Sequence, residues 1–184
     1  MGLADWQIRL EKHFKALRSE RSSLASNPPI FALEHDLSSS DLKNIDSDIR
    51  TAIQEAPPSR NHYLPWVVYA TEIGYRYAGD EYWQTFENAT PGWDKNGNRY
   101  WIQNFFRLFH DTYAGAHPSG AWANHFSIIC WPITHSILPQ DLQRQFAKLL
   151  YELRSYFSSG YLETPTELGN LISAQSLGAT SRFQ

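Results

Sequence analysis

The chain has 184 residues, of which 42% are hydrophobic and 15% aromatic, and this composition excludes an intrinsically disordered protein. Its formal net charge of −3 gives no overall attraction to nucleic acid or to an anionic membrane surface, although it leaves room for a local basic patch. Cys130 is the only cysteine, so no disulfide can form within the chain, and a reducing compartment is favoured.

No segment has the pattern of a signal peptide or of a membrane-spanning helix. Charged residues recur every few positions from Met1 to Leu24, which excludes the apolar core of a signal peptide. The longest apolar run, from Phe126 to Trp131, is much shorter than the roughly 18 residues that a membrane span needs. We therefore predict a cytoplasmic protein that has no membrane partner.

Helical patterns dominate the first third of the chain. A first amphipathic helix is expected to end before Pro28, and Ile30 to Leu37 is interpreted as an ordered loop because a lone strand has nothing to pair with. The serines from Ser38 to Ser40 offer N-caps to a second helix, which Pro57 stops. The predicted apolar stripes are Trp6, Leu10, Phe14, Leu17 and Leu24 in the first helix and Leu42, Ile45, Ile49 and Ile53 in the second.

The segment from Leu64 to Tyr77 is apolar or aromatic nearly all round, which predicts a helix at the centre of the core that begins at Pro65. The turn-rich stretch from Thr90 to Asn98 is interpreted as a surface turn. Further helices are predicted near Tyr82, Trp101, Pro118, Pro139 and Thr164. We therefore predict an all-α fold: an irregular bundle of about seven or eight helices around the aromatic-rich helix, in a single domain over residues 1–184.

A histidine-rich stretch from His110 to His135 supplies candidate metal ligands. His110, His117 and His125 could converge on a zinc ion if the helices on either side of Gly115 were antiparallel. Their spacing matches no recognised ligand pair, and histidines among aromatic residues are also satisfied by backbone carbonyls or water. The apolar neighbours of Cys130 indicate a structural thiol and not a nucleophile.

Glu72 is a carboxylate inside the most hydrophobic predicted helix, and Arg76 follows it at i+4. A glutamate in such surroundings must be paired or exposed through a cleft. The two residues therefore form either a buried structural ion pair or the floor of a site. No second carboxylate is placed beside Glu72 by the sequence pattern, so we predict no catalytic residues.

Arg99, Trp101 and Arg107 are candidate nucleic-acid contacts, because arginines near an exposed aromatic ring can bind single-stranded bases and phosphates. The alternative is a solvated helix face beside a packed core. The phosphate-binding patterns GxxxxGK[ST] and GxGxxG do not occur, so we predict no nucleotide loop and no cofactor.

Three segments of the chain resemble the N-terminal region of large bacterial proteins found in phage-defence islands. They are PIFALEHDLSSSDL from Pro29 to Leu42, LPWVVYATEIGYRYAGDEYW from Leu64 to Trp83, and HFSIICWPITHSILPQDLQRQFAKLLYEL from His125 to Leu153. The resemblance implies a part of a multi-component defence system and no particular chemistry. It also implies that the chain is the N-terminal part of a longer protein that continues past Gln184.

Three functional hypotheses follow from these patterns. The first is a non-catalytic protein-interaction or assembly module, within a larger bacterial antiviral defence complex. The second is a nucleic-acid-binding domain that uses arginine and aromatic contacts. The third is a metal-dependent enzyme that uses the histidine cluster.

Overall fold

The structure, a computed structural model, describes residues 2–25, 27–76, 82–118 and 130–136. These residues form seven α-helices and no strand, which confirms the predicted all-α fold. In chain order the helices are α1 (Leu3–Ser22), α2 (Ser39–Glu55), α3 (Tyr63–Arg76), α4 (Tyr82–Ala89), α5 (Trp93–Asn96), α6 (Arg99–Tyr113) and α7 (Cys130–His135). Short 3-10 turns at Ala32–Glu34 and Arg60–His62 precede α2 and α3. The helices predicted from Pro139 and Thr164 lie outside the described residues.

Helix α2 begins at the predicted serine cap. The Ser38 hydroxyl accepts a hydrogen bond from the Asp41 backbone N–H at 3.2 Å, and the Asp41 carboxylate accepts one from the Ser38 N–H at 2.9 Å. This reciprocal pair satisfies two backbone donors that the first turn of a helix leaves free. The predicted stripe is buried at Ile45, Ile49 and Ile53, and it turns toward the core.

A bidentate ion pair joins α1 to the start of α2. The Arg9 guanidinium donates to both oxygens of Asp41, at 3.0 and 3.1 Å. These hydrogen bonds from Arg9, and then those from Ser38, lower the pKa of Asp41 to about 2. Further along the same interface, the Trp6 indole donates to Asp48 at 2.8 Å. The helices are therefore held in register by polar contacts as well as by their apolar stripes.

Helix α3 lies at the centre, as predicted. It packs against α1, α2, α4, α6 and α7, and ten of its fourteen residues are buried. The helix begins at Tyr63, which places Pro65 in the first turn, where its missing N–H costs nothing. The free Leu64 N–H of that turn donates to the Gln7 side chain at 2.9 Å.

Three local predictions differ from the structure. Helix α1 ends at Ser22, and Leu24 is 48% exposed, because the chain leaves the core before Pro28. Trp93 in the predicted surface turn is buried in α5, where its ring packs 4.9 Å from that of Phe86. The loop residue Ile30 does find a pairing partner, since it forms an isolated parallel bridge with Gly115. The bridge of Ile30 with Gly115 joins segments that are distant in sequence, so local patterns could not indicate it.

None of the helices within the described residues is both long enough and apolar enough to cross a membrane.

Helices α3 and α7 approach closely at Gly74. A Cβ atom at this position would lie 2.5 Å from Ser136 Oγ and 3.3 Å from the Pro132 carbonyl oxygen. The Ser136 hydroxyl donates toward the carbonyl oxygens of Thr71, at 2.9 Å, and Pro132, at 2.7 Å. The missing side chain of Gly74 therefore allows this hydroxyl to reach α3.

We predict that Gly74→Ala lowers the free energy of unfolding by about 1–3 kcal/mol, because the new methyl group displaces the Ser136 hydroxyl. The gain in helix propensity offsets up to about 1 kcal/mol of this cost. In a background that carries Ser136→Ala, which lacks the hydroxyl, Gly74→Ala should lower the free energy of unfolding by less than it does in the wild type. Urea unfolding of both single variants and the double variant measures this coupling, and strictly additive effects would contradict the proposed contact.

Candidate functional site

A cleft of about 570 Å³ opens between α2, α3 and α4. Its volume is within the range of about 300–1,000 Å³ that ligand sites occupy. The apolar part of its lining comprises Leu42, Ile45, Ile73 and Ala89, and the charged part comprises Lys43, Asp46, Arg50, Glu72 and Arg76. The Glu72–Arg76 pair that the sequence singled out therefore lies in the wall of an open cleft.

Glu72 is held by two donors, one on each carboxylate oxygen. His35 donates from Nε2 to Oε1 at 2.9 Å, and Arg76 donates from Nη2 to Oε2 at 2.5 Å. The side chain of Glu72 is 13% exposed and that of His35 is 6% exposed, whereas that of Arg76 is 60% exposed. The predicted ion pair with Arg76 thus lies on the solvent side of the Glu72 carboxylate. On the buried side, Glu72 contacts His35, which sequence spacing did not indicate.

These contacts keep the Glu72 carboxylate ionised. Burial by itself would raise its pKa, but the His35 hydrogen bond and the Arg76 charge outweigh burial and hold the pKa below its ordinary value. The His35 ring is fixed as the Nε2–H tautomer, since its Nδ1 accepts the Leu37 N–H at 3.3 Å. A carboxylate in this state is a stable acceptor and a poor proton shuttle near neutral pH.

The opposite wall of the cleft carries a second ion pair. On α2, Arg50 Nε donates to Asp46 at 3.0 Å, and both side chains stay partly exposed. The Tyr69 hydroxyl lies beneath them and donates to the Ala89 carbonyl at 3.0 Å, and burial raises the pKa of this phenol. The cleft therefore presents oriented charges of both signs around an apolar floor, an arrangement suited to recognition.

The predicted histidine cluster is assembled only in part. The rings of His110 and His117 lie 5.1 Å apart, and the two Nδ1 atoms contact the carbonyl oxygens of Gly115 and Pro118 at 2.7 and 2.6 Å. His125 lies outside the described residues. Within the described residues, no group of three or more histidine, cysteine, aspartate or glutamate side chains could hold a metal ion.

His135 ends the histidine-rich stretch of the sequence, but it was not among the three predicted metal ligands. It is fully buried, and its Nδ1 accepts the Ala32 N–H at 3.0 Å, while Nε2 has no hydrogen-bond partner among the described residues. Burial lowers the pKa of this histidine to about 3, and the nearby Ala116 carbonyl opposes that effect only in part. Its ring packs at 4.9 Å from Phe106 and 5.2 Å from Phe109.

The three candidate nucleic-acid contacts do not lie together. Arg99 donates to Glu87 at 2.6 and 2.8 Å and lies over the ring of Trp83, at 5.2 Å from its centroid. Trp101 and Arg107 instead line a separate cleft of about 490 Å³ on the outer face of α6. Arg60, from the 3-10 turn before α3, lines the same cleft, and sequence proximity could not have indicated it.

Comparison with known proteins yields no relative. No family model, curated protein or solved structure matches this chain.

We predict that Glu72→Leu lowers the free energy of unfolding by about 1–3 kcal/mol, because it leaves the buried His35 Nε2–H without an acceptor. Glu72→Gln keeps an acceptor oxygen and should cost less. Arg76→Gln should cost less than about 1 kcal/mol, since an exposed ion pair contributes little. Urea unfolding at neutral pH ranks the three variants, and a larger loss for Arg76→Gln than for Glu72→Leu would contradict the assignment.

The buried His135 should make the protein less stable on mild acidification. Because its pKa is lower in the folded chain than in the unfolded one, the unfolded state takes up the proton first as the pH falls below about 6.5. Lowering the pH from 7 to 5 should therefore reduce the contribution of His135 to the free energy of unfolding by about 2 kcal/mol.

The variant His135→Phe isolates this effect, because Phe fills the aromatic site but does not titrate. The variant should be less stable than the wild type at pH 7, since the Ala32 N–H loses its acceptor. Its deficit should shrink by about 2 kcal/mol at pH 5. Chemical unfolding at the two pH values tests this, and a deficit that stays constant would refute a buried neutral histidine.

Proposed function

We propose that this chain is a non-catalytic protein-interaction module, and that the cleft between α2, α3 and α4 receives a helical segment of its protein partner. The observation that carries the proposal is the combination, in one open cleft, of an apolar floor with charged side chains held in ion pairs. Amphipathic helices commonly bind in grooves of this kind between the helices of another protein.

The floor of the cleft supplies the apolar contact. Leu42 on α2 and Ile73 on α3 are partly buried against the core, so each keeps part of its surface available to a partner. Covering such surface contributes about 25 cal/mol for each Å² removed from water. A partner segment that places apolar residues at helical spacing over this floor would bury both side chains together.

The charges around the cleft support orientation and partner choice. Three basic side chains and two acidic ones line it, an excess of one positive charge. The carboxylates of Asp46 and Glu72 each hold an arginine in place, which reduces the entropy lost when those arginines bind a partner. Lys43 has no carboxylate partner within the described residues. We therefore propose a partner helix with acidic residues beside its apolar anchors.

The resemblance of three segments to the N-terminal region of large phage-defence proteins suggests the setting. We propose that the partner belongs to a multi-component bacterial antiviral complex. In that setting the module would contribute assembly, and the chemistry would come from other components.

The test compares two neighbouring positions on α4. Thr85 lines the cleft, whereas the exposed Gln84 does not, so Thr85→Trp fills the cleft and Gln84→Trp is a matched control. Tagged wild type and both variants are expressed in the host, and bound proteins are recovered with and without nuclease treatment. We expect a stoichiometric protein partner that survives nuclease and is retained by Gln84→Trp but lost with Thr85→Trp.

Two outcomes would count against the proposal. A partner that Thr85→Trp still recovers at the wild-type level binds elsewhere on the chain. Recovery that depends on intact nucleic acid indicates a nucleic-acid-mediated association and not direct docking. Equal thermal midpoints for the two tryptophan variants serve as the folding control.

A further inference from the structure

The outer face of α6 carries a second cleft of different chemistry. Arg60, Trp101 and Arg107 line it, and the side chains of Phe105 and Leu108 form its apolar base. Trp101 is 36% exposed and the adjacent Tyr100 is 61% exposed, values that are unusual for such large aromatic residues. Two aromatic rings are thus available to solvent beside two arginines.

The arginines of this cleft lack the ion pairs that most other described arginines form, although Arg18 also has no carboxylate partner within the described residues and donates to Asn27 instead. Arg9, Arg21, Arg50, Arg76 and Arg99 each contact a carboxylate within 4 Å. Arg60 and Arg107 have no such partner among the described residues, and Asp111 lies at the cleft without pairing to either of them. Their guanidinium groups can therefore bind an external anion without first breaking an internal ion pair.

Helical geometry places the polar and aromatic groups side by side. Tyr100, Asn104 and Arg107 follow one another at i, i+4 and i+7, so they share one stripe of α6, and Trp101 borders it. Trp101 and Arg107 are six residues apart, or about 9 Å along the axis at the usual rise per residue. Because both side chains line the same cleft, a planar group stacked on Trp101 can place an anionic group near Arg107.

We propose that this face binds single-stranded nucleic acid, with a base stacked on Trp101 and neighbouring phosphates held by Arg60 and Arg107. Stacking on an exposed aromatic ring together with arginine–phosphate contacts is the usual chemistry of single-strand binding. The partly exposed side chains of Trp101 and Tyr100 favour this partner over an acidic peptide, whose carboxylates would use the arginines alone. A duplex fits less well, because its bases are already stacked and unavailable to Trp101.

The site is local, which reconciles it with the net charge of −3. Only two phosphates are neutralised, so the logarithm of the binding constant should fall with the logarithm of salt concentration at a slope of about −1.4. This weak dependence separates the site from a general basic surface.

The experiment uses the full chain and a fluorescein-labelled oligothymidylate of 15 nucleotides, followed by anisotropy at several salt concentrations. Trp101→Ala should weaken binding about 5- to 150-fold, as expected for the loss of one stacked base. Trp101→Tyr should restore most of the affinity. Arg60→Gln and Arg107→Gln should each reduce the magnitude of the salt slope by about 0.7.

Arg99→Gln is the matched control, since it removes the same charge from the same helix at a side chain already paired with Glu87. An unchanged affinity in this variant supports the assignment. No binding at low salt, equal weakening by Arg99→Gln and Arg107→Gln, or an unchanged affinity in Trp101→Ala would overturn it. Equal competition by polyglutamate would also overturn it, in favour of an acidic peptide. Thr85→Trp leaves this face intact, so the result is independent of the protein-docking cleft.

Discussion

The structure depends on covering α3, a helix that is apolar on nearly every side. A helix of this kind is stable in water only when neighbours enclose it, and here α1, α2, α4, α6 and α7 provide that enclosure. The irregular arrangement of the bundle follows from this demand, since each neighbour packs on a different part of one helix. The glycine at position 74 allows α7 to pack closely on α3, and the serine cap fixes the start of α2, which also covers α3.

The candidate cleft lies where this cover is incomplete. Glu72 and Ile73 belong to α3 but are only partly buried, and the gap between α2 and α4 exposes them. An ionised carboxylate at such a position requires donors, and His35 and Arg76 supply them from the loop before α2 and from α3 itself. The central helix therefore serves both as the main core element and as one wall of a recognition site.

Local features of the sequence predicted a large part of the fold but only fragments of the sites. The stripe of Ile45, Ile49 and Ile53 and the pair of Glu72 with Arg76 repeat at helical spacing, so periodicity alone was enough to find them. The contact of His35 with Glu72 spans 37 residues, and Arg60 and Arg107 line one cleft only because of tertiary packing. The prediction of a surface turn at Trp93 was wrong for a similar reason. Its neighbours are turn-forming residues, but its ring is buried by packing against Trp66 and Phe86.

The segment around Ile30 has a consequence for the order of folding. Its backbone pairs with Ala114 and Ala116, and the Ala32 N–H reaches His135 across a sequence separation of 103 residues. Closing so long a loop costs chain entropy that nearby contacts do not. Helices α1, α2 and α3 contact one another over shorter stretches of sequence, whereas the partners of this segment lie in and after α6 and in α7. We therefore expect the segment around Ile30 to become ordered late, only after the residues up to His135 have been synthesised.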